Sequence, residues 1–223
     1  MAHRAKKYSN HRMIYFTSDT HFHHKNIVRG TTSWTDKSQC RPFDSLEDHD
    51  NWLVKSINSI VQFDDLLIHA GDWSFGGEEQ IMKFRNQLHC NHIILICGNH
   101  DHHITKNPSK YLDNENGRIF TEIIPHLSSF QFKTNSGQDM IIQHYAQRTW
   151  FRANKGSWML YGHSHGSLDD GFPEWRYKTM DIGVDNLMKR IGRPVISFTE
   201  LNDLFKKRSF LNTDHHNETT NDK

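Results

Sequence analysis

The chain lacks the features of secreted and membrane proteins. Its three cysteines form no CxxC pair and leave an odd count, which argues against a disulfide framework and indicates free thiols in a reducing compartment. No stretch approaches the roughly 20 apolar residues that a membrane helix needs. Residues 1–12 are polar and basic, without the apolar segment of a signal peptide. We therefore expect a cytoplasmic protein with no membrane partner.

The chain also lacks an excess of charge of either sign. Its 27 Lys and Arg residues and 26 Asp and Glu residues leave a formal net charge of +1. Proteins that bind long nucleic acids mainly through phosphate contacts have a basic excess, so long nucleic acid is not the expected partner. The length of 223 residues fits one compact domain with a substantial core.

Histidine is abundant, with 18 copies, and five short polar signatures each follow an apolar run. Runs of this length are typical of buried strands, and they cover residues 13–16, 66–68, 93–96, 140–142 and 158–161. Because α/β proteins place functional groups in the loops at strand ends, we expect these side chains to meet. The signatures are Asp19-Thr20-His21, Gly71-Asp72, Gly98-Asn99-His100-Asp101, His144 and Gly162-His163-Ser164-His165.

Strand and helix patterns alternate in the first hundred residues and predict an α/β fold with a largely parallel sheet. Ser45 is the predicted N-cap of a first helix, and residues 78–89 are predicted to form a second. Residues 130–133 and 140–143 flank a turn sequence and predict a hairpin.

Three segments are expected along the chain. Residues 1–12 form an N-terminal extension, residues 13–201 form the single domain, and the polar residues 202–223 form a disordered tail. Residues 181–185 and 195–198 are predicted to be the closing strands of the domain.

The signatures offer seven candidate metal ligands, all of them oxygen or nitrogen donors. Residues two apart, such as Asp19 and His21, point to the same side of an extended backbone, and His163 and His165 repeat this spacing. Seven ligands exceed the four of a tetrahedral zinc and suit two ions such as manganese, iron, zinc or nickel. Such a pair acidifies a shared water and holds the oxygens of a displacement at phosphorus, which indicates phosphoester hydrolysis. Aminopeptidase-type hydrolysis is the alternative, although more carboxylates are expected there.

Together, the five signatures resemble the signature set of the calcineurin-like metallophosphoesterases, in that family's order over residues 13–166. Residues 20–27 and 41–43 are similar to a small bacterial or phage phosphoesterase subgroup, which would place the protein in the bacterial or host cytoplasm. The resemblance implies a four-layer α/β/β/α sandwich of two mixed β-sheets flanked by helices. It also implies a metal-dependent phosphoric ester hydrolase in which a metal-bridging hydroxide attacks phosphorus.

The resemblance further implies a role for each ligand. Two divalent ions are expected, with manganese favoured and iron, zinc, nickel and magnesium as alternatives. The first ion would be held by Asp19, His21 and His165, and Asp72 would bridge both ions. The second ion would be held by Asn99, His144 and His163.

Beyond the metal ligands, the resemblance implies that His100 is catalytic and protonates or stabilises the leaving oxygen. Asp101 would orient His100 and raise its pKa, because a neighbouring carboxylate favours imidazolium. From the residues themselves, Arg148 is able to bind phosphate through its guanidinium group, with a surface salt bridge as the alternative. The substrate-binding candidates are Asn99, His100, His23, Asn26 and Arg148.

A small phosphodiester of cyclic or nucleotide type is the expected substrate, because no lid or strongly basic pocket that would capture a dianion is visible in the sequence. The alternatives are a phosphomonoesterase or protein phosphatase, a nuclease, and a non-catalytic binding scaffold. A scaffold would show substituted ligands, and none of the seven positions is substituted. Many relatives have another acidic residue shortly after Gly-Asp, where this chain has Trp73-Ser74-Phe75. The sequence does not indicate the oligomeric state of the protein.

Overall fold

The computed structural model describes residues 11–112, 119–168 and 177–211. Its first sheet contains β1 (Ile14–Thr17), β2 (Leu66–His69), β3 (His92–Ile96), β4 (Glu122–Ile124) and β9 (Ile196–Ser197). The strand order is β4-β3-β2-β1-β9. The strands β1 to β4 are parallel and β9 is antiparallel to β1, which confirms the predicted, largely parallel sheet.

The second sheet contains β5 (Phe130–Lys133), β6 (Asp139–Ile142), β7 (Trp158–Tyr161) and β8 (Thr179–Asp181), in that order. The strands β5 and β6 are antiparallel and form the predicted hairpin, with Phe130 opposite Ile142. The strands β6, β7 and β8 are parallel to one another. Both sheets are therefore mixed.

The described α-helices are α1 (Leu46–Asn58), α2 (Gly77–Gln87), α3 (His102–Lys106), α4 (Val184–Ile191) and α5 (Phe198–Phe205). The predicted cap of α1 is confirmed, since the Ser45 side chain accepts a hydrogen bond from the Asp48 N–H at 3.0 Å. Helix α5 begins with a capping box. The Ser197 side chain accepts a hydrogen bond from the Glu200 N–H, and the Glu200 side chain accepts one from the Ser197 N–H.

Apolar side chains from the facing sides of the two sheets form one core, because alternate residues of a strand point to opposite faces. In β3, Ile94 and Ile96 enter this core, whereas Ile93 and Leu95 pack on the opposite face beneath helices α1 and α2. The inter-sheet core includes Phe16, Ile68, Ile94, Phe132, Met140, Ile142, Leu160 and Met180. The layers therefore run from helices to the first sheet to the second sheet, which confirms the α/β class.

On the outer face of the second sheet, the described residues that pack against Met159 include Trp150, Ala153 and Leu211. They come from loops and a short 3-10 helix at Ala153–Lys155. The helical fourth layer of the expected sandwich stays a prediction.

Three predicted boundaries are corrected by the structure. Residues 184 and 185 begin α4 rather than ending a strand, and residue 198 begins α5. The domain also continues past residue 201, because Phe205 and Leu211 are buried. Residues 1–10 and 212–223, which contain most of the predicted extension and tail, lie outside the described residues. Within the described ranges, no helix is long and apolar enough to cross a membrane.

Candidate metal centre

The seven predicted ligands lie in loops that meet where the two sheets face each other. Each loop starts where a strand ends, so the packed sheets fix the starting point of every loop. The ligands are Asp19 and His21 after β1, Asp72 after β2, Asn99 after β3, His144 after β6, and His163 and His165 after β7.

Five of these residues have a left-handed backbone, which non-glycine residues adopt at a cost of about 1–3 kcal/mol each. The prediction that the paired ligands lie on extended backbone is therefore wrong, because tight turns direct their side chains instead. Hydrogen bonds between loops hold two of these turns, from the Asp19 N–H to the Gly71 oxygen (2.9 Å) and from the His21 N–H to the Asp72 oxygen (3.0 Å). The φ angles are 53° at Asp19, 46° at His21, 57° at Asp72, 65° at His163 and 49° at His165.

One group of donor atoms consists of Asp19, His21 and His165. The Nε2 atoms of His21 and His165 are 3.3 Å apart, and each is 3.8 Å from Asp19 Oδ1. Two ligands about 2.1 Å from one ion lie about 3.0–3.5 Å apart at ordinary coordination angles. Burial lowers the pKa of His21 well below its ordinary value, so its ring is neutral, as a metal ligand must be. These residues therefore could hold a cation.

The Asp72 carboxylate connects this group to the other ligands. Its Oδ2 atom is 3.7 Å from His21 Nε2 and 3.6 Å from His144 Nε2. Asp19, Asp72 and His144 form a second group that could hold a cation. One buried carboxylate oxygen thus lies between imidazoles that come from different sheets.

The Asn99 side chain contacts the remaining candidate ligands. Its Oδ1 atom is 3.0 Å from His144 Nε2 and 3.0 Å from His163 Nδ1, and it accepts a hydrogen bond from the Tyr145 hydroxyl at 3.3 Å. The structure therefore brings all seven predicted ligands together. Tyr145 was not predicted from the sequence.

Two histidines have an outer hydrogen bond that fixes the ring nitrogen turned towards the centre. His144 Nδ1 lies 2.9 Å from the Ala70 carbonyl oxygen, and His165 Nδ1 lies 2.6 Å from Asp185 Oδ2. Both acceptors require a protonated Nδ1, which turns Nε2 towards the centre. Burial lowers the pKa of His144 to about 4, so that ring is neutral at physiological pH.

Burial raises the pKa of both Asp19 and Asp72. Nearby carboxylates raise the pKa further, Asp181 acting on Asp19, and Asp19 and Asp101 acting on Asp72. A bound divalent cation would offset this repulsion and favour the ionised carboxylates.

Manganese binding is expected to strengthen as the pH rises from about 5 to 8. The reason is that Asp19 and Asp72, whose pKa is raised in the metal-free protein, hold protons that a cation must displace. Calorimetric titration in two buffers of different ionisation enthalpy measures both the affinity and the protons released. An affinity independent of pH, with no proton release, would contradict this expectation.

The Asp101 carboxylate holds the loops after β2 and β3 together. It accepts hydrogen bonds from the backbone N–H groups of Asp72 (2.8 Å), Gly98 (2.8 Å) and Trp73 (2.9 Å). The prediction that Asp101 orients His100 and raises its pKa is wrong, because both Asp101 oxygens accept these backbone hydrogen bonds, and burial together with neighbouring histidines lowers the pKa of His100. Asp101 positions the loop of Asp72 instead.

His100 lies beside the shared carboxylate and reaches solvent. Its backbone N–H donates to Asp72 Oδ1 at 2.9 Å, and its Nε2 atom is 3.9 Å from Asp72 Oδ2. The side chain is 42% exposed. At this position, His100 could contact a bound substrate while it stays outside the set of candidate metal ligands.

Two glycines leave room for the carboxylates. A Cβ atom on Gly98 would lie 2.2 Å from Asp72 Oδ1, and one on Gly162 would lie 2.4 Å from Asp19 Oδ2. Both distances are shorter than any allowed contact. The positions before Asn99 and His163 therefore require glycine, because the Asp72 and Asp19 carboxylates approach the backbone closely there.

Asp185 and Arg41 support the centre from outside and were not predicted. Arg41, which is buried, donates to both Asp185 oxygens at 2.9 Å and to the backbone oxygens of Asp19 (2.6 Å) and Thr20 (2.8 Å). Burial acts to raise the pKa of Asp185, but Arg41 and the hydrogen-bonded His165 hold that pKa well below its usual range. This ionised carboxylate therefore orients the His165 ring. The feature of the sequence that could have indicated Asp185 is its position at the end of an apolar segment.

Replacement of Asp185 by Asn is expected to weaken metal binding about 10- to 100-fold. The Asn side chain keeps the volume but removes the charge that pairs with Arg41 and fixes His165. Competition with a chromophoric chelator measures the affinity, and near-ultraviolet circular dichroism checks the fold. The exposed Asp64→Asn is the control, and equal affinity in both variants would contradict the assigned role.

The contacts of His23 and Asn26 do not support the predicted substrate-binding role. The His23 ring lies on Asp50, with Nδ1 3.1 Å from Oδ2, and Asn26 Oδ1 accepts two hydrogen bonds from Ser33 at 3.0 Å. Arg148 is exposed in the loop after β6, and its phosphate-binding role stays a prediction.

His24, which was not predicted as a site residue, lies closer to the centre. Its ring stacks on Phe75 with centroids 3.6 Å apart, and its centroid is 5.3 Å from that of His21. Burial lowers the pKa of His24 to about 4. The Phe75 ring also lies 4.6 Å from the His100 ring, so an aromatic wall borders one side of the centre.

One curated protein and one solved structure that resemble this chain are each described without an activity. The chain matches no protein-family model. It is 26% identical over 175 residues to the uncharacterized protein MJ1445 of Methanocaldococcus jannaschii, a match that covers 78% of this chain and 81% of that protein. It resembles the crystal structure of the protein of unknown function AQ665 from Aquifex aeolicus, with a TM-score of 0.58 and 20% identity. That match covers 86% of this chain and 99% of the Aquifex chain, and it shows a shared fold.

Proposed function

We propose that the protein is a cytoplasmic, calcineurin-like phosphodiesterase that depends on two divalent metal ions and hydrolyses a small phosphodiester. The observation that supports this most strongly is the position of Asp72 Oδ2, between His21 Nε2 at 3.7 Å and His144 Nε2 at 3.6 Å. A carboxylate shared by two donor groups is what a pair of neighbouring cations requires.

The donor atoms fit two ions of intermediate hardness. All seven ligands are nitrogen or oxygen donors, and the carboxylates are buried with raised pKa. When bound, the ions would acidify a water and neutralise charge at phosphorus. One ion would be held by Asp19, His21, His165 and Asp72, and the other by Asp72, Asn99, His144 and His163. Manganese is the favoured ion, with iron, zinc, nickel and magnesium as alternatives.

His100 supplies the proton-transfer group of the proposed reaction. It lies 3.9 Å from the shared carboxylate and is 42% exposed, so a phosphoryl group at the centre would contact its ring. The negative charge of a bound phosphoryl group opposes the lowering of the pKa of this ring, so that a ring N–H donates a hydrogen bond, and then a proton, to the departing oxygen. The hydrogen bond from the His100 N–H to Asp72 Oδ1 fixes the backbone from which the ring projects.

The surroundings favour a diester over a monoester. A groove borders His100 on the side of Ser74, Phe75 and His103, and no Lys or Arg lines it. Capture of a phosphomonoester dianion favours such groups. A diester has only one negative charge and places an organic group on the leaving oxygen. The apolar part of the groove accommodates that group.

A metal and substrate panel tests this function. The purified chain, treated with chelator and then given manganese, nickel, zinc or magnesium, is assayed on bis-p-nitrophenyl phosphate, p-nitrophenyl phosphate, and 2′,3′- and 3′,5′-cyclic nucleotides. We expect hydrolysis of diesters that is lost with chelator and restored by manganese. Chelator-resistant hydrolysis would overturn the metal centre, and a preference for the monoester would overturn the diesterase assignment.

A further inference from the structure

A groove next to His100 has the size and lining of a small-molecule site. It encloses about 420 Å³, within the range of about 300–1,000 Å³ typical of ligand clefts. It lies between the loop that enters α2 and the start of α3, beside His100. Its lining residues include Ser74, Phe75, Gly77, His100, Asp101 and His103.

The groove offers flat and apolar contact surface. Phe75 is partly exposed; His24 stacks on one face of its ring at a centroid distance of 3.6 Å, and the tilted His100 ring lies 4.6 Å away. The His103 ring lies against Gly77, 3.5 Å from where a Cβ atom would be. Aromatic rings fixed in this way favour stacking of a flat heteroaromatic group.

Two buried polar atoms at the groove have no partner in the described part of the chain. They are Ser74 Oγ, which belongs to a lining residue, and Gln80 Oε1, whose side chain packs against Gly76. Both residues are 7% exposed. Buried polar atoms are normally hydrogen-bonded, so the hydroxyl of the lining residue Ser74 indicates a ligand with a hydrogen-bonding group of its own.

The charges at the groove point to an uncharged ligand. No Lys or Arg lines it, and its single carboxylate, Asp101, already accepts three backbone hydrogen bonds. A second phosphate would find no Lys or Arg here, and a basic group would find no carboxylate that is free of other hydrogen bonds. An uncharged, flat group with polar edges fits these properties.

We infer that this groove binds the nucleoside of a nucleotide-type phosphodiester on the leaving-group side of His100. The inference rests on the proposed function and narrows its substrate to diesters with a nucleoside as the leaving group. Phe75 stacks on the base, the Ser74 hydroxyl bonds to a polar edge of the nucleoside, and His100 lies between this group and the phosphorus.

Equilibrium dialysis of adenosine against the full metal-loaded chain tests the groove without any phosphate. We expect saturable binding that Phe75→Ala weakens at least about fivefold, from the worth of one base stack. His103→Trp, an exposed position, is expected to fill the groove and weaken binding as well. The control is Phe63→Ala, which changes an aromatic residue that is 60% exposed and precedes β2. Circular dichroism checks the fold of each variant.

The outcomes separate the groove from the proposed function. If the chain hydrolyses bis-p-nitrophenyl phosphate with manganese but binds no adenosine, or if both groove variants bind adenosine as the control does, the nucleoside site is overturned and the phosphodiesterase stands. A different result is that the wild-type chain binds adenosine, both groove variants lose this binding, and no metal-dependent hydrolysis is found. In that case the nucleoside site stands and the phosphodiesterase is overturned.

Discussion

Replacement of Asp72 by Asn is expected to reduce hydrolysis of bis-p-nitrophenyl phosphate to the level of the chelated protein. The shared Oδ2 atom lies within 3.7 Å of His21 Nε2 and 3.6 Å of His144 Nε2, so its charge is needed by both proposed metal positions. An Asn amide has the same shape but is neutral and has only one ligand oxygen. Elemental analysis should fall from two metal equivalents per chain in the wild type to fewer than one.

The control for this variant is Asp203→Asn. Asp203 is exposed on α5, where its carboxylate pairs with Lys206 at 2.8 Å, and its loss is expected to leave both metal content and activity unchanged. Two metal equivalents together with wild-type activity in Asp72→Asn would contradict a shared carboxylate. A folded variant is recognised by unchanged circular dichroism.

The strands and the residues at their ends could be predicted from the sequence because burial on both faces of a parallel sheet produces continuous apolar runs. The run at residues 158–161 matches β7 in full. A polar residue directly after such a run has to lie at the strand end. The position of the seven candidate ligands at strand ends therefore follows from the local pattern.

The direction of the ligand side chains could not be predicted in the same way. Asp19 and His21 turn inward through left-handed backbone, which is held by hydrogen bonds to the loop after β2, some 50 positions further along the chain. Nothing in the local pattern requires this conformation. Such strain persists where the tertiary structure imposes it.

The residues that support the ligands were missed or misassigned for the same reason. Asp101 follows His100 in sequence, which suggested a pair, but its carboxylate faces the backbone of the neighbouring loop. Arg41 and Asp185 are 144 positions apart and meet only in the folded protein. Adjacency in sequence is a poor guide to contact where the chain turns sharply.

Replacement of His100 by Asn is expected to lower turnover about 10²- to 10⁴-fold, the range of a lost general acid, while metal content stays at the wild-type level. The reason is that His100 contacts the centre through its backbone N–H, at 2.9 Å from Asp72 Oδ1, and this hydrogen bond survives the substitution. The loss should be smaller for a substrate with an activated leaving group, such as bis-p-nitrophenyl phosphate, than for a cyclic nucleotide, because the activated group departs without a proton. His89→Asn, on an exposed residue after α2, is the control. Turnover equal to the control would remove His100 from the reaction, and a parallel loss of metal would make it a ligand instead.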